Sequence, residues 1–185
     1  MSQDRIECFL IHPTGLGVRS LRRYVGPRCG DGPKAGFHSA SVVLGEEPFP
    51  GEWNGESRYP TPEEVSDPRW PDRCGRCNLA FEGLDTRQIN VDRLWTRIET
   101  GDRFRLDDSP PGAMYFSPWY ADSGVGPDGK HLVVVTPAGH WLVDQDNHKW
   151  QRTGMAPKVT VTPSILFHGD IPYHAFLTDG FLVPC

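Results

Sequence analysis

Cys74 and Cys77 stand three apart in the stretch RWPDRCGRCNLAF, Arg69 to Phe81. Two thiolates at this spacing can face one tetrahedral ion from a tight backbone knuckle. Gly75 eases the turn and backbone N–H groups donate to the sulfurs. A redox pair of the same spacing follows a strand and opens a helix in a βαβ unit. Nothing around Cys74 has that pattern, and a disulfide across two intervening residues is a poor staple. The stretch therefore reads as half of a zinc site.

A structural zinc needs two further ligands, and a catalytic zinc needs one plus water. Cys29, in the loop GPRCGDGPKAG, is the preferred third ligand, and His38, at the start of the next apolar run, the preferred fourth. Cys8 and His12, spaced C-x3-H, form the rival pair. Cys8 lies among Phe9, Leu10 and Ile11 and reads more simply as a small core residue. Cys185 ends the sequence as a bystander. The odd total of five cysteines argues against a disulfide framework.

Catalytic signals are weak. No HExxH, GxSxG or P-loop pattern occurs. Asp122, Ser123 and His174 could be assembled into a hydrolytic set only on paper, and His174 between apolar neighbours reads as a satisfied core histidine. His131 and His140 flank an apolar run and read as strand caps. A weak second metal site from His140 and His148, with Asp144 or Asp146, requires the loop DQDNHK to fold back, and a solvated polar turn is the simpler reading.

These residues must be positioned by a chain of 185 residues with 20 glycines and 18 prolines, a mixture that shortens helices and favours strands, turns and ordered loops. Six tryptophans and nine phenylalanines supply enough apolar area for a packed core. IECFLI reads as a buried strand closed by a PTG turn. LGVRSLRRYV reads as a strand or a short amphipathic helical turn, and FHSASVVLG as a strand. Glu46 to Asp67 reads as an irregular connection, and SPPGAMYFSPWY as too proline-rich for regular structure. QINVDRLWTRIETGDRFRL fits two readings, a helix with Val91, Leu94, Trp95 and Ile98 in one stripe and Asn90 as its cap, or a hairpin through Thr100-Gly101-Asp102, the one preferred. KHLVVVTP with HWLVD, KVTVTPSI interrupted by Pro163, and YHAFL with FLVPC complete the strands. The fold class expected is mainly β, with a β-rich α+β arrangement as the variant. One domain, 1–185, is expected, with a knuckle-bearing half over about 1–85 and a hairpin half over about 86–185.

The formal net charge of −5 disfavours nucleic acid and anionic lipid as bulk partners. No run reaches the roughly 20 apolar residues of a membrane span. The N-terminus, with an early acidic residue and a short apolar core, does not resemble a secretory signal, which predicts a cytoplasmic location.

The order CFLI-PTG, LRRY, a cysteine loop, FHSASVVLG, RWPDRCGRC, PPGAM, GPDGKHLVVVTPAGHW and YHAFLTDG resembles a domain-of-unknown-function family of actinobacterial phages. Related domains occur in bacterial ubiquitin-like conjugation operons. The resemblance implies zinc at Cys74, Cys77, Cys29 and His38, a phage source, and a location in the host cytoplasm or the virion. The sequence departs from the family around VDQDNHKWQRTG, where many members carry extra cysteines and only His148 and Trp150 stand here. That departure weakens any second metal site.

Three functions follow as expectations. The first is a zinc-stabilised, non-enzymatic interaction or structural module whose partners are other proteins of a phage assembly. The second is a zinc-dependent hydrolase of a peptide or isopeptide bond. The third is a nucleic-acid-binding zinc ribbon using Arg19, Arg22, Arg23, Arg73 and Arg76.

Overall fold

A computed structural model describes residues 4–30, 36–83, 85–120, 124–145, 151–168 and 171–185. The protein is mainly β, with 57% of the described residues in strands and 4% in helix, so strand alternation rather than helix packing decides which side chains meet. The chain forms two compact units, one of residues 14–94 and one of residues 1–13 with 95–185. Among the described residues no helix is long and apolar enough to cross a membrane.

In the unit of residues 14–94, strand β2 (Phe9–Cys29) contributes its larger part and pairs antiparallel with β3 (Gly36–Pro48). β5 (Thr86–Arg97) lies on the other side of β2, and β4 (Gly55–Arg58) pairs with β5. The expected PTG turn is absent, because β2 runs through Pro13, Thr14 and Gly15 without a break. Gly15 takes φ 76 within the strand, the Leu16 N–H donates to the Thr14 hydroxyl oxygen at 3.1 Å, and that hydroxyl donates to the Leu94 carbonyl at 3.0 Å, so β2 bends at Gly15 without ending. LGVRSLRRYV is strand throughout. Glu46 to Asp67 is more ordered than expected. It contains the end of β3, all of β4 and the short helix α1 (Pro62–Val65). Thr61 and Glu64 close a reciprocal capping box on α1, with Pro62 in its first turn. Leu21, Trp70 and Ile89 form a small core, and the Trp70 indole N–H donates to the Glu64 carbonyl at 2.7 Å.

In the other unit, β1 (Ile6–Glu7) and the first residues of β2 belong with the C-terminal strands. Ile6 pairs with Leu182, while Phe9 and Leu10 pair in parallel with Ala113 and Met114 of β7 (Ala113–Phe116). β7 pairs with β8 (Leu132–Thr136), and β8 with β9 (Gly139–Leu142). A five-stranded sheet runs in the order β1, β13 (Phe181–Pro184), β12 (Tyr173–Thr178), β11 (Lys158–Phe167), β10 (Gln151–Met155). The hairpin expected at Thr100-Gly101-Asp102 forms between β5 and β6 (Arg103–Arg105).

β7 and β8 are buried on both faces. Met114, Leu132 and Val134 join Val159, Val161, Ile165, Leu177 and Leu182 in one core. Ala113, Tyr115, Val133 and Val135 join Phe9, Ile11, Trp95 and Leu106 in another. That double burial accounts for the unbroken LVVV run. It also makes PPGAMYF a strand despite its prolines, which lie before the paired residues. β11 continues past Pro163 by shifting register between Val161 and Ile165.

One buried ion network anchors this unit. The Arg152 guanidinium donates to Asp144 at 2.9 and 3.0 Å and to Asp128 at 2.6 and 3.2 Å. The Arg152 and Asp144 side chains are 1% and 4% exposed. The second Asp144 oxygen also accepts the Leu132 N–H at 2.8 Å. Burial works against the Arg152 charge, but the two carboxylates outweigh it and hold the guanidinium protonated more firmly than usual. Gly126 packs against this guanidinium, and a Cβ there would collide with it.

Asp144→Ala leaves a buried, half-paired arginine and is expected to destabilise this unit by about 3–5 kcal/mol, read by denaturant unfolding. The Arg152 hydrogen bonds hold the Asp128 carboxyl below the usual carboxylate range. Its contribution is therefore present above about pH 4 and is lost as acid protonates it below that, so Asp128→Asn should flatten the acid limb of a pH–stability profile.

Candidate metal centre

The knuckle is a miniature hairpin. The Phe81 N–H donates to the Asp72 carbonyl at 2.8 Å, Arg73 bridges Ala80, and the Cys74 N–H donates to the Leu79 carbonyl at 2.8 Å. The tight return falls on Asn78, which takes φ 62 and donates its N–H to the Cys74 carbonyl at 3.0 Å. Asparagine tolerates this left-handed conformation better than other side-chain-bearing residues. Gly75 lies in the turn, as the sequence reading expected, but not at its left-handed position. Its N–H also reaches the β3 backbone, donating to the Ser39 carbonyl at 3.0 Å, and so joins the knuckle to β3.

β2 and β3 bring the other two donors. Cys29 closes β2 as a strand residue, rather than sitting in a free loop, and pairs with Gly36. His38 stands opposite Val25. Val25, Ala40, Cys29, Cys74 and Phe81 pack together, which fixes the face of the hairpin that carries the donors. One donor atom from each of Cys29, His38, Cys74 and Cys77 lies within 4.8 Å of all the others. The Cys29 and Cys74 sulfurs are 3.8 Å apart, and His38 Nδ1 is 3.1 Å from the Cys77 sulfur. A tetrahedron with metal–sulfur bonds of about 2.3 Å has sulfur–sulfur edges of about 3.8 Å. Cys29 and Cys74 are buried, His38 is half-buried and Cys77 is exposed.

The local electrostatics favour a sulfur anion. Burial pushes the Cys74 thiol up, but the backbone amides of Cys77 and Arg76 outweigh it and bring the thiol down to about 6. Burial pushes Cys29 up to about 11, reinforced by hydrogen bonds with Cys77 and Cys74. The Arg76 N–H faces the Cys74 sulfur at 3.5 Å, the donor geometry that stabilises ligating thiolates.

Two arginines brace the centre and were not singled out as such from the sequence. Arg23 donates to both oxygens of Asp85 at 2.6 and 2.8 Å, to the Pro71 carbonyl at 2.9 Å and to the Phe81 carbonyl at 3.0 Å. It therefore ties both ends of the knuckle to β2. The Arg23 and Asp85 side chains are 9% and 3% exposed. The Arg23 hydrogen bond is the main cause holding the Asp85 carboxyl below its usual range, with Arg87 adding to it. Arg76 donates to the Cys29 carbonyl at 3.2 Å. The partner of Arg23 lies 62 residues away, so no local pattern signals it.

The remaining candidates go elsewhere. Cys8 lies in the core of the other unit, where burial pushes its thiol up to about 12, and neither Cys8 nor His12 joins the cluster. Cys185 is an exposed free thiol. His131 Nδ1 meets the Gly124 carbonyl at 3.0 Å just before β8. His140 lies within β9, 3.0 Å from the Tyr115 hydroxyl, and burial lowers its proton affinity. Asp144 is engaged by Arg152, while His148, Asp146, Asp122 and Ser123 lie outside the described residues. His174 is not a core residue. It is exposed on β12, with Nε2 2.8 Å from the Ser164 hydroxyl. Arg23 and Arg19 are not open basic groups, since Arg19 pairs with Glu47 at 2.6 Å.

The sequence matches no protein-family model, and no curated protein or solved structure is significantly similar to it.

Cys74→Ser is expected to abolish stoichiometric metal retention and to lower the melting temperature of the chain sharply, read by elemental analysis and calorimetry. A melt unchanged from the parent would show that Cys74 holds nothing that the fold needs. Asp85→Asn breaks the Arg23 clamp and is expected to destabilise the knuckle unit by about 3–5 kcal/mol, read by hydrogen exchange at Cys74, Asn78 and Phe81.

Proposed function

We propose that the protein is a zinc-stabilised, non-enzymatic interaction module, and that it serves as a structural or accessory protein of a phage. The single observation carrying the zinc reading is the convergence of three sulfurs and one imidazole nitrogen from three separate segments within 4.8 Å. This soft donor set suits zinc better than calcium or magnesium, which select oxygen. Three thiolates and a neutral imidazole around a dication leave the centre with one negative charge, offset locally by Arg76.

The donor count also weighs between a structural and a catalytic role. Four protein donors complete a tetrahedron and leave no position for an activated water, which speaks against the hydrolase reading. Binding energy at such a site is on the order of 10 kcal/mol or more, comparable with the stability of a whole domain. Zinc here would fasten β2, β3 and the knuckle as one body. The phage assignment rests on the resemblance of the sequence order alone.

X-ray absorption on the purified chain is expected to show one zinc with three sulfur and one nitrogen neighbours. An oxygen neighbour in the first coordination sphere would reopen the hydrolytic reading, and a chain purified without bound metal would overturn the zinc assignment. Mass spectrometry of purified virions is expected to detect the chain, and its absence there would remove the structural role.

A further inference from the structure

We infer that the face of the β2–β3 hairpin opposite the metal centre is a binding platform for single-stranded nucleic acid. Alternation along the strands separates two faces. Arg23, Val25, His38 and Ala40 point to the knuckle, so Arg22, Tyr24, Phe37, Ser39 and Ser41 point the other way. The contacts agree. The Tyr24 and Phe37 ring centroids are 5.8 Å apart, the Arg22 guanidinium lies 5.3 Å over the Tyr24 ring, and Phe37 lies beside Gly26. Arg28 stands opposite Phe37 and shares its face. Phe37 is 62% exposed, which is unusual for a phenylalanine held in a strand.

This arrangement has the chemistry of a stacking surface. Two neighbouring aromatic rings offer flat faces to unpaired bases, and arginines at both ends offer planar cations to phosphates. The serines between them are small enough to let a chain lie close and can donate hydrogen bonds. The charge pattern favours an anionic occupant over an apolar one. Residues 20–28 and 37–43 contain no Asp or Glu.

The net charge of −5 does not oppose this locally. Asp31 lies three residues from Arg28, and Glu46 lies five residues from Ser41, or about 17 Å along an extended strand, beyond the Debye length of about 10 Å at 0.1 M salt. The third function expected from the sequence thus returns with Arg22 kept from its arginine set and the other residues new. Arg19 and Arg23 are engaged by Glu47 and Asp85, while Arg22, Tyr24, Arg28 and Phe37 form the face.

The inference goes beyond the zinc reading, although the metal would steady the platform through His38, the residue next to Phe37. The test is fluorescence anisotropy of the full metal-loaded chain with labelled DNA and RNA single strands of about 20 nucleotides, against a duplex of the same sequence. Single strands are expected to bind more tightly than the duplex, with affinity falling between about 50 and 200 mM salt. Tyr24→Ala and Phe37→Ala should each weaken binding roughly 5- to 100-fold, while Tyr24→Phe should retain it. Each variant is checked for bound metal, so that loss of fold is separated from loss of contact. No binding at about 0.1 mM protein in low salt would overturn the platform, as would equal affinity for the duplex or full affinity in the Tyr24→Ala, Phe37→Ala double variant. Any of these results from a chain that carries its metal would leave the zinc reading standing.

Discussion

The knuckle unit depends on holding together donors that are far apart in sequence. Cys29 and Cys74 are 45 residues apart, yet their sulfurs sit 3.8 Å from each other. Closing a loop of that size costs conformational entropy that no pair of thiols recovers alone. Here the closure is shared. The Gly75 N–H on Ser39, the Arg23 guanidinium on Pro71, Phe81 and Asp85, and the Arg76 guanidinium on Cys29 set the position of the knuckle from three directions. A site preorganised in this way is the arrangement in which metal binding adds most directly to folding.

Much of the centre was legible in the sequence because ligand chemistry is local in type. The Cys-x-x-Cys spacing is a short-range signal, and Cys29 with His38 follows from the scarcity of other soft donors in suitable surroundings. What was not legible is long-range or conformational. Gly75 looked like the residue needed for the turn, but the left-handed position in it is Asn78, and a Cβ at Gly75 would meet the Ser39 carbonyl only at an ordinary contact distance of 3.8 Å. Arg23 looked like part of a solvated basic run, since nothing in RSLRRY shows that alternate residues face a buried aspartate.

The fold class was legible from glycine, proline and aromatic content, whereas strand boundaries were not. Pro13 and Gly15 suggested a turn that ends a strand, yet β2 continues through them, because proline φ is compatible with a strand and the left-handed bend at Gly15 sits beside Thr14, which is tied to Leu94. PPGAMYF was misjudged because prolines preceding a paired segment carry no penalty within it. His174 was placed inside from its apolar neighbours, but alternation sends Ala175 and Leu177 inward and His174 and Phe176 outward.

The double burial of β8 has a consequence for how this sequence can drift. On a half-exposed strand every second position faces water and accepts many side chains. Leu132 to Val135 have no such positions, because each residue fills one of two cores. Neutral variation there is confined to exchanges among aliphatic residues of nearly equal volume, so this short run should diverge slowly between descendants while the hairpin surfaces around it are free to change.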